Sequence, residues 1–243
     1  MNASTHDSSA DTASPGVVLL HGIARTSRSL HKLEQALQQS GFSTLNLDYA
    51  SRRKPLEALA ADIHPPIADF AATRDGPIHF VAHSMGGLLV RVYLAQHRPA
   101  RLGRVVMLGT PNGGSEVADL LKRFALYRAF YGPAGLQLAT QQDAALISLP
   151  PVDYPVGIIA GIRTLDPIAS TFILPRPNDG RVSVQSSKLE RMADHTTVKA
   201  SHTGLVRDAA AIAQTIAFLR TGRFTSAEQA HRRGRRAWSS AAA

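Results

Sequence analysis

Short apolar runs alternate with helical patterns along most of the chain, and this alternation constrains the fold more than any other feature. The first run, GVVLLHG at residues 16–22, is almost continuously apolar, which is typical of a strand buried on both faces. The alternation predicts an α/β fold with a doubly wound, mostly parallel sheet, because parallel strands need helical connections. The predicted strands are 16–22, 42–49, 77–83, 102–109, 154–161 and 195–201, and the predicted helices are 30–40, 56–72, 85–96 and 208–220.

The length and composition suit one domain. The chain has 243 residues, of which 44% are apolar and 19% charged, and a chain of this size buries a large core without disulfides or a metal. It contains no cysteine, which excludes disulfides, cysteine nucleophiles and thiolate metal sites. We expect a disordered tail over residues 1–14, one domain over 15–222 and a basic tail over 223–243.

The sequences at the two ends of the chain indicate where the protein is located and whether it binds nucleic acid or a membrane surface. The first residues lack the basic and apolar regions of a secretory signal, and no run approaches the ~18 apolar residues of a membrane span. We therefore expect a cytoplasmic protein without stable membrane insertion. More than half of the formal charge of +9 comes from residues 220–243, which hold six arginines and one glutamate. We expect a solvated tail and no nucleic-acid-binding domain, with contact to phosphates or to an anionic membrane surface as the alternative.

The segment AHSMGG, residues 82–87, joins a predicted strand to a predicted helix. A serine hydroxyl becomes an effective nucleophile when a base takes its proton and a sharp turn holds its oxygen in a cleft. Such a turn needs small neighbours, and Ala82 and Gly86 stand two residues before and after Ser84. We predict that Ser84 is a nucleophile; the alternative is a purely structural turn.

Acyl transfer also needs two N–H donors where the negative oxygen of the tetrahedral intermediate forms. The backbone N–H of Met85 is one candidate, because the first N–H groups of a helix have no partner within it. The second is the N–H of Ile23, in the segment LLHGIART that follows the first predicted strand. The alternative for that segment is an ordinary loop at a strand end.

Ten histidines are candidates for the general base. We predict His202, because it follows the last predicted strand and precedes the last helix, from where an imidazole can reach across the strand ends toward Ser84. We expect His79 to be packed in the core and His83 to point away along the turn. The remaining histidines lie in tails, in exposed helical stretches, in the loop before Ile23 or at the start of the last strand.

The acid that orients the imidazole should lie between the nucleophile and the base, after a late strand. Asp179 is predicted, because the sequence Asn-Asp-Gly around it is strong turn chemistry. Asp166 and Asp194 are the alternatives in the same interval. The sequence contains no cluster of acidic residues and histidines with metal-ligand spacing, so we expect neither a metal nor another cofactor.

These segments together resemble the α/β-hydrolase superfamily, in particular small bacterial serine lipases and esterases whose nucleophile turn has the pattern Ala-x-Ser-x-Gly. The matching segments are HGI at 21–23, AHSMGG at 82–87, LGTPNGGS at 108–115, the turn around 179 and HTGL at 202–205. The resemblance extends from about residue 15 to residue 220. It implies the nucleophile Ser84, the acid Asp179, the base His202 and the oxyanion donors Ile23 and Met85. One departure is Ser201, where the family has a glycine before the histidine.

Residues 116–149 do not continue the alternation of predicted strands and helices, and they carry apolar residues at helical spacing. They are interpreted either as a small helical cap that lines an acyl pocket or as an ordinary crossover helix. We predict a serine hydrolase that cleaves small apolar carboxylic esters through an acyl-enzyme. Thioester hydrolysis or acyl transfer on the same residues, and a non-catalytic binding module on the same fold, are the alternatives. The sequence leaves the oligomeric state open.

Overall fold

The computed structural model of the protein describes residues 14–113, 133–134, 149–164 and 174–225. The predicted tails lie outside these ranges except for residues 14 and 223–225. The predicted insert at 116–149 lies outside them except for residues 133, 134 and 149. Asp166 also lies outside the described residues.

A six-stranded sheet forms the centre of the molecule. Its strands are β1 (Gly16–Leu20), β2 (Ser43–Leu47), β3 (Ile78–His83), β4 (Leu102–Leu108), β5 (Val156–Gly161) and β6 (Asp194–Val198). Their order is β2-β1-β3-β4-β5-β6, and each neighbouring pair is parallel. The prediction of a mostly parallel α/β sheet is confirmed.

Helices cover both faces of this sheet. They are α1 (His31–Gln39), α2 (Leu56–Ala72), α3 (Met85–Gln96), α4 (Val184–Ser187) and α5 (Ala209–Thr221), with short 3₁₀ segments at Ser27–Leu30 and Leu205–Arg207. The α2 helix continues through Pro65 and Pro66. Helices α2 and α3 pack on one face of the sheet, and α1 and α5 pack on the other. Among the described residues, no helix combines the length and the apolar character needed to cross a membrane.

The continuous apolar sequence of β1 follows from this double covering. Val18 and Leu20 belong to the core beneath α2 and α3, whereas Val17 and Leu19 belong to the core beneath α1 and α5. All four side chains are fully buried. Because successive residues of a strand point to opposite faces, a strand between two helical layers has no solvated position.

The pairing of β3 with β4 contains a bulge near its start. Ile78 and Phe80 are two positions apart on β3, whereas their partners on β4, Leu102 and Val105, are three positions apart. The Arg104 N–H donates to the Nδ1 atom of buried His79, 2.7 Å away. Burial, with the Arg104 charge, lowers the pKa of His79 to about 4, so the ring is neutral and can accept this bond. A Cβ atom on Gly103 would stand 2.5 Å from the same ring nitrogen, so only glycine fits there.

Candidate active site

The loops at the carboxyl edge of the sheet bring the predicted site residues together. Ser84 follows β3 directly, and Ile23 lies in the loop after β1. Asp179 comes after β5, and His202 comes after β6. In a parallel sheet all of these strand ends lie at one edge, which is where sites of open α/β sheets form.

Three side chains form a continuous chain of hydrogen bonds. The Nδ1 atom of His202 is 2.8 Å from Oδ2 of Asp179, and its Nε2 atom is 3.0 Å from Oγ of Ser84. A carboxylate only accepts hydrogen bonds, so the neutral imidazole carries its proton on Nδ1 and donates it to Asp179. The Nε2 atom is then free to accept the hydroxyl proton of Ser84. This is the arrangement that general-base activation of a serine requires.

The carboxylate of Asp179 is buried, and both of its oxygens accept hydrogen bonds. Its Oδ1 atom accepts the N–H groups of Arg181 and Val182, at 2.9 and 2.8 Å. Burial raises the pKa of this carboxyl, but the charge of His202 and its hydrogen bond, with the two backbone bonds, outweigh burial and hold the pKa below its ordinary value. The backbone N–H of His202 also donates to the carbonyl of Asp179 at 2.9 Å. The acid and the imidazole are therefore fixed to each other through both backbone and side chain.

The backbone of Ser84 is in a conformation that few residues with a side chain adopt. Its φ is 55° and its ψ is −127°, a combination that costs of order 1–3 kcal/mol for a non-glycine residue. The turn is held by the Ser84 N–H, which donates to Leu108 at 2.9 Å, and by the Thr110 hydroxyl, which donates to the Ser84 carbonyl at 3.0 Å. A Cβ on Gly86 would stand 2.5 Å from the carbonyl oxygen of Leu20, so the small residue there is a steric requirement.

Two backbone N–H groups lie unused beside the Ser84 turn. Within the part of the chain that the structure describes, neither Ile23 N–H nor Met85 N–H makes a hydrogen bond. A Cβ on Gly22 would stand 3.1 Å from the Cβ of Ser84, so the loop after β1 lies directly against the serine. Unused N–H groups at this position fit the two predicted oxyanion donors.

The loop after β1 is held from the side of β2. The buried ring of His21 stacks on Tyr49 with 4.1 Å between ring centroids, and the Tyr49 hydroxyl donates to the His21 carbonyl. The Ala24 N–H donates to the Ser51 hydroxyl at 3.2 Å. These contacts fix the backbone that carries the Ile23 N–H.

The expectation that His83 points away from the site is wrong. Its ring lies 4.9 Å from the ring of His202, centroid to centroid, and its Nε2–H donates to the His202 carbonyl at 2.9 Å. Burial, reinforced by His202, lowers the pKa of His83 to about 3, so the ring is neutral. Strand alternation contains the signal: Val81 packs beneath α1 and α5, and His83, two residues further on, shares its face.

Two glycines that the sequence analysis did not single out leave room for the acid and the imidazole. Gly109, just after β4, has a φ of +58°, and a Cβ there would stand 3.1 Å from Oδ2 of Asp179 and 3.2 Å from Nδ1 of His202. Gly161, at the end of β5, would place a Cβ 2.8 Å from the Cβ of Asp179. A glycine that ends a central strand is the sequence signal for such a close approach.

The alternative acid and three of the other histidines make different contacts. Asp194 begins β6, at the opposite edge of the sheet, where its Oδ2 atom accepts the Phe224 N–H at 2.8 Å. His79 is packed against the β4 bulge. His64 and His97 stack on each other, 4.1 Å between centroids, and neither is among the fully buried residues. In the described ranges, no group of three or more acidic or histidine side chains is arranged to hold a metal ion.

Comparison with known proteins gives one family. The model of the alpha/beta hydrolase fold matches residues 15–146, which is more than half of the chain and includes β1, β3 and the Ser84 turn.

Solved structures with a similar fold include three esterases or lipases. A mature lipase from Bacillus licheniformis has 18% identity and a TM-score of 0.70, with 87% of this chain and 93% of that chain covered. A metagenomic carboxyl esterase has 20% identity and a TM-score of 0.65, with 80% and 66% covered. The phospholipase PlaB from Legionella pneumophila has 18% identity and a TM-score of 0.64, and the 89% of this chain that matches spans 61% of that protein. At these identities the likeness is one of fold.

Proposed function

The chain belongs to the α/β-hydrolase fold family, and on that premise we propose that it is a serine hydrolase that cleaves carboxylic esters. In this proposal Ser84 is the nucleophile, His202 the general base and Asp179 the acid that orients the imidazole. The N–H groups of Ile23 and Met85 hold the negative oxygen of the tetrahedral intermediate.

One observation carries the proposal. A single imidazole, that of His202, has one nitrogen 3.0 Å from a serine hydroxyl and the other 2.8 Å from a buried carboxylate. Serine and histidine side chains in a structural network have no need of backbone strain at the serine, yet Ser84 has a φ of 55°. Strain of this kind is typical of functional sites, where the surrounding structure holds a residue against its preference.

In the first half of the reaction, the Ser84 oxygen attacks the ester carbonyl while His202 Nε2 takes the hydroxyl proton. The new C–O bond places a negative charge on the former carbonyl oxygen, which the two N–H groups stabilise. The imidazolium is stabilised by Asp179, whose depressed pKa keeps it ionised. His202 then gives the proton to the leaving alcohol as the original ester bond breaks.

The second half repeats these steps with water. His202 takes a proton from a water molecule, whose oxygen attacks the acyl-enzyme carbonyl. The bond to Ser84 breaks, the serine oxygen recovers its proton from His202, and the carboxylic acid leaves. Thioesters and other acyl acceptors would use the same residues, and the proposal favours esters because carboxyl esterases and lipases are among the proteins with this fold.

A fluorophosphonate probe tests the proposal directly. We expect one covalent adduct on Ser84, with Ser84→Ala unlabelled and unable to hydrolyse p-nitrophenyl esters. Ser29→Ala is the matched control, because it removes a partly exposed hydroxyl from a 3₁₀ segment, and it should be labelled like the wild type. A Ser84 that is not labelled in the folded protein would favour a non-catalytic binding module.

A series of acyl chain lengths, measured on matched esters and thioesters, then defines the substrate class. We expect kcat/KM for apolar acyl esters to exceed that for the corresponding thioesters. A consistent preference for thioesters would make the protein a thioesterase with the same catalytic residues.

A further inference from the structure

A cavity separate from the Ser84 site lies at the amino edge of the sheet. It has a volume of about 340 Å³ and lies between the second half of α3 and residues 149–154, which lead into β5. Helix α3 starts at the Ser84 turn and runs back along the sheet, so Arg91, seven residues further on, is about 10 Å along the helix axis from the serine. The cavity is therefore separate from the carboxyl edge, where the catalytic residues lie.

The guanidinium of Arg91 lines this cavity. Its Nε and Nη1 atoms are buried, and within the described residues they make no hydrogen bond. Burial lowers the pKa of Arg91, which nevertheless stays protonated at neutral pH because a guanidinium holds its proton so strongly. Buried polar atoms without hydrogen bonds are unfavourable, and a bound ligand is one way to satisfy them.

The acid that lines the same cavity does not neutralise Arg91. Asp153 accepts two hydrogen bonds from Nη1 of Arg98, at 2.9 and 2.7 Å. The Arg98 and Asp153 charges therefore cancel, and among the lining residues that the structure describes the positive charge of Arg91 is not compensated. This charge count fits a monoanion, whereas a doubly charged anion such as phosphate would need a second free cation.

The remainder of the lining determines what else the ligand contains. Leu94, Leu149, Val152 and two prolines contribute apolar surface around the guanidinium. A ligand that fills this space has an apolar body and one anionic group, and its carboxylate can accept two parallel N–H bonds from an arginine.

We propose that this cavity binds a small monocarboxylate with an apolar chain, and that Arg91 binds its carboxylate. The proposal does not depend on the esterase activity, since none of the residues that carry it belongs to the Ser84 site. It provides a partner for the buried Nε and Nη1 atoms of Arg91, which make no hydrogen bond to the residues that the structure describes.

Calorimetric titration of the full-length protein with sodium octanoate tests the site. Arg91→Met should weaken octanoate binding at least tenfold, because it removes the charged donors and keeps an unbranched side chain as long as that of arginine out to Nε. Arg53→Met, which removes the same charge from an exposed position, should bind within twofold of the wild type. Octanol and inorganic phosphate should each bind the wild type at least tenfold more weakly than octanoate.

The Nε–H resonance of Arg91 gives a readout that needs no variant to fold. In the wild-type protein this resonance should shift on addition of octanoate and should saturate with the calorimetric Kd. Equal octanoate affinity in the wild type and in Arg91→Met would overturn the proposal. So would phosphate binding as tight as that of octanoate, or an Arg91 resonance that does not move.

Discussion

Replacing Ser84 by glycine and by alanine separates the chemistry of this residue from its backbone strain. Both changes remove the hydroxyl, so both variants should lose ester hydrolysis and probe labelling. They differ in the backbone, because alanine must keep the unfavourable φ of 55°, whereas glycine adopts it freely. The two proteins should therefore be equally inactive and unequally stable.

The expected difference follows from two opposing contributions. Release of the strain at Ser84 stabilises the glycine variant by roughly 1–3 kcal/mol. The greater freedom of glycine in the unfolded chain destabilises it by about 0.5–1 kcal/mol. The glycine variant should then be more stable than the alanine variant by about 1 kcal/mol, which is a Tm about 2–4 °C higher for a domain of this size.

Thermal and urea denaturation of the two variants provide the measurement. Ser29, in the 3₁₀ segment Ser27–Leu30, is the control, because its helical backbone should make glycine less stable than alanine by up to about 1 kcal/mol. The sign of the difference should therefore be opposite at the two positions. If Ser84→Ala were as stable as Ser84→Gly, the turn would not be strained, and the support that backbone strain gives to the assignment of a nucleophile would be lost.

Two further predictions concern the other side chains of the site. Asp179→Asn should lower kcat by roughly 10⁴-fold, because an amide no longer selects the imidazole tautomer that accepts the serine proton; Asp194→Asn should leave kcat within twofold, and the reverse order would mean that the acid is misassigned. The stability of the wild type should fall by about 2 kcal/mol more than that of His83→Phe between pH 7 and pH 5, as measured by urea denaturation. The folded-state pKa of His83, about 3, lies below its ordinary value of 6.5, so its contribution is complete above pH 6.5 and is lost as the pH falls toward 3; parallel curves for the two proteins would contradict this.

The sequence predicted the sheet well because its central strands have no solvated face. The apolar residues of β1 run without interruption and those of β3 are interrupted only by His79 before the strand ends at His83, and a strand buried on both faces gives a mostly apolar pattern of this kind. Helix α4 and the two 3₁₀ segments were not predicted, because three or four residues are too few to establish a period. The bulge in β4 was not predicted either, since it depends on a contact between Gly103 and a side chain on another strand.

The order of the candidate site residues was available from the sequence, but their packing was not. Parallel strands place Ser84 and His202 at one edge of the sheet. Their location after predicted strands was therefore enough to predict that they lie in the same site. The approach of Asp179 to the imidazole depends on the missing side chains of Gly109 and Gly161, which are distant in sequence. The contribution of His83 was missed because the prediction considered its neighbours along the turn and not the face of the strand.

The bulge at the amino end of β4 adjusts the length of one strand against its neighbour. Beyond it, His83 pairs with Leu108, and this register lets the Ser84 N–H reach the Leu108 carbonyl and the Thr110 hydroxyl reach the Ser84 carbonyl. The bulge takes up one extra residue, so that Leu102 and Val105, three positions apart, both face the core beneath α2 and α3. Gly103 and its contact with His79 thus accommodate the extra residue. A larger residue at position 103 would misalign the nucleophile from the opposite end of the strands, without contacting it.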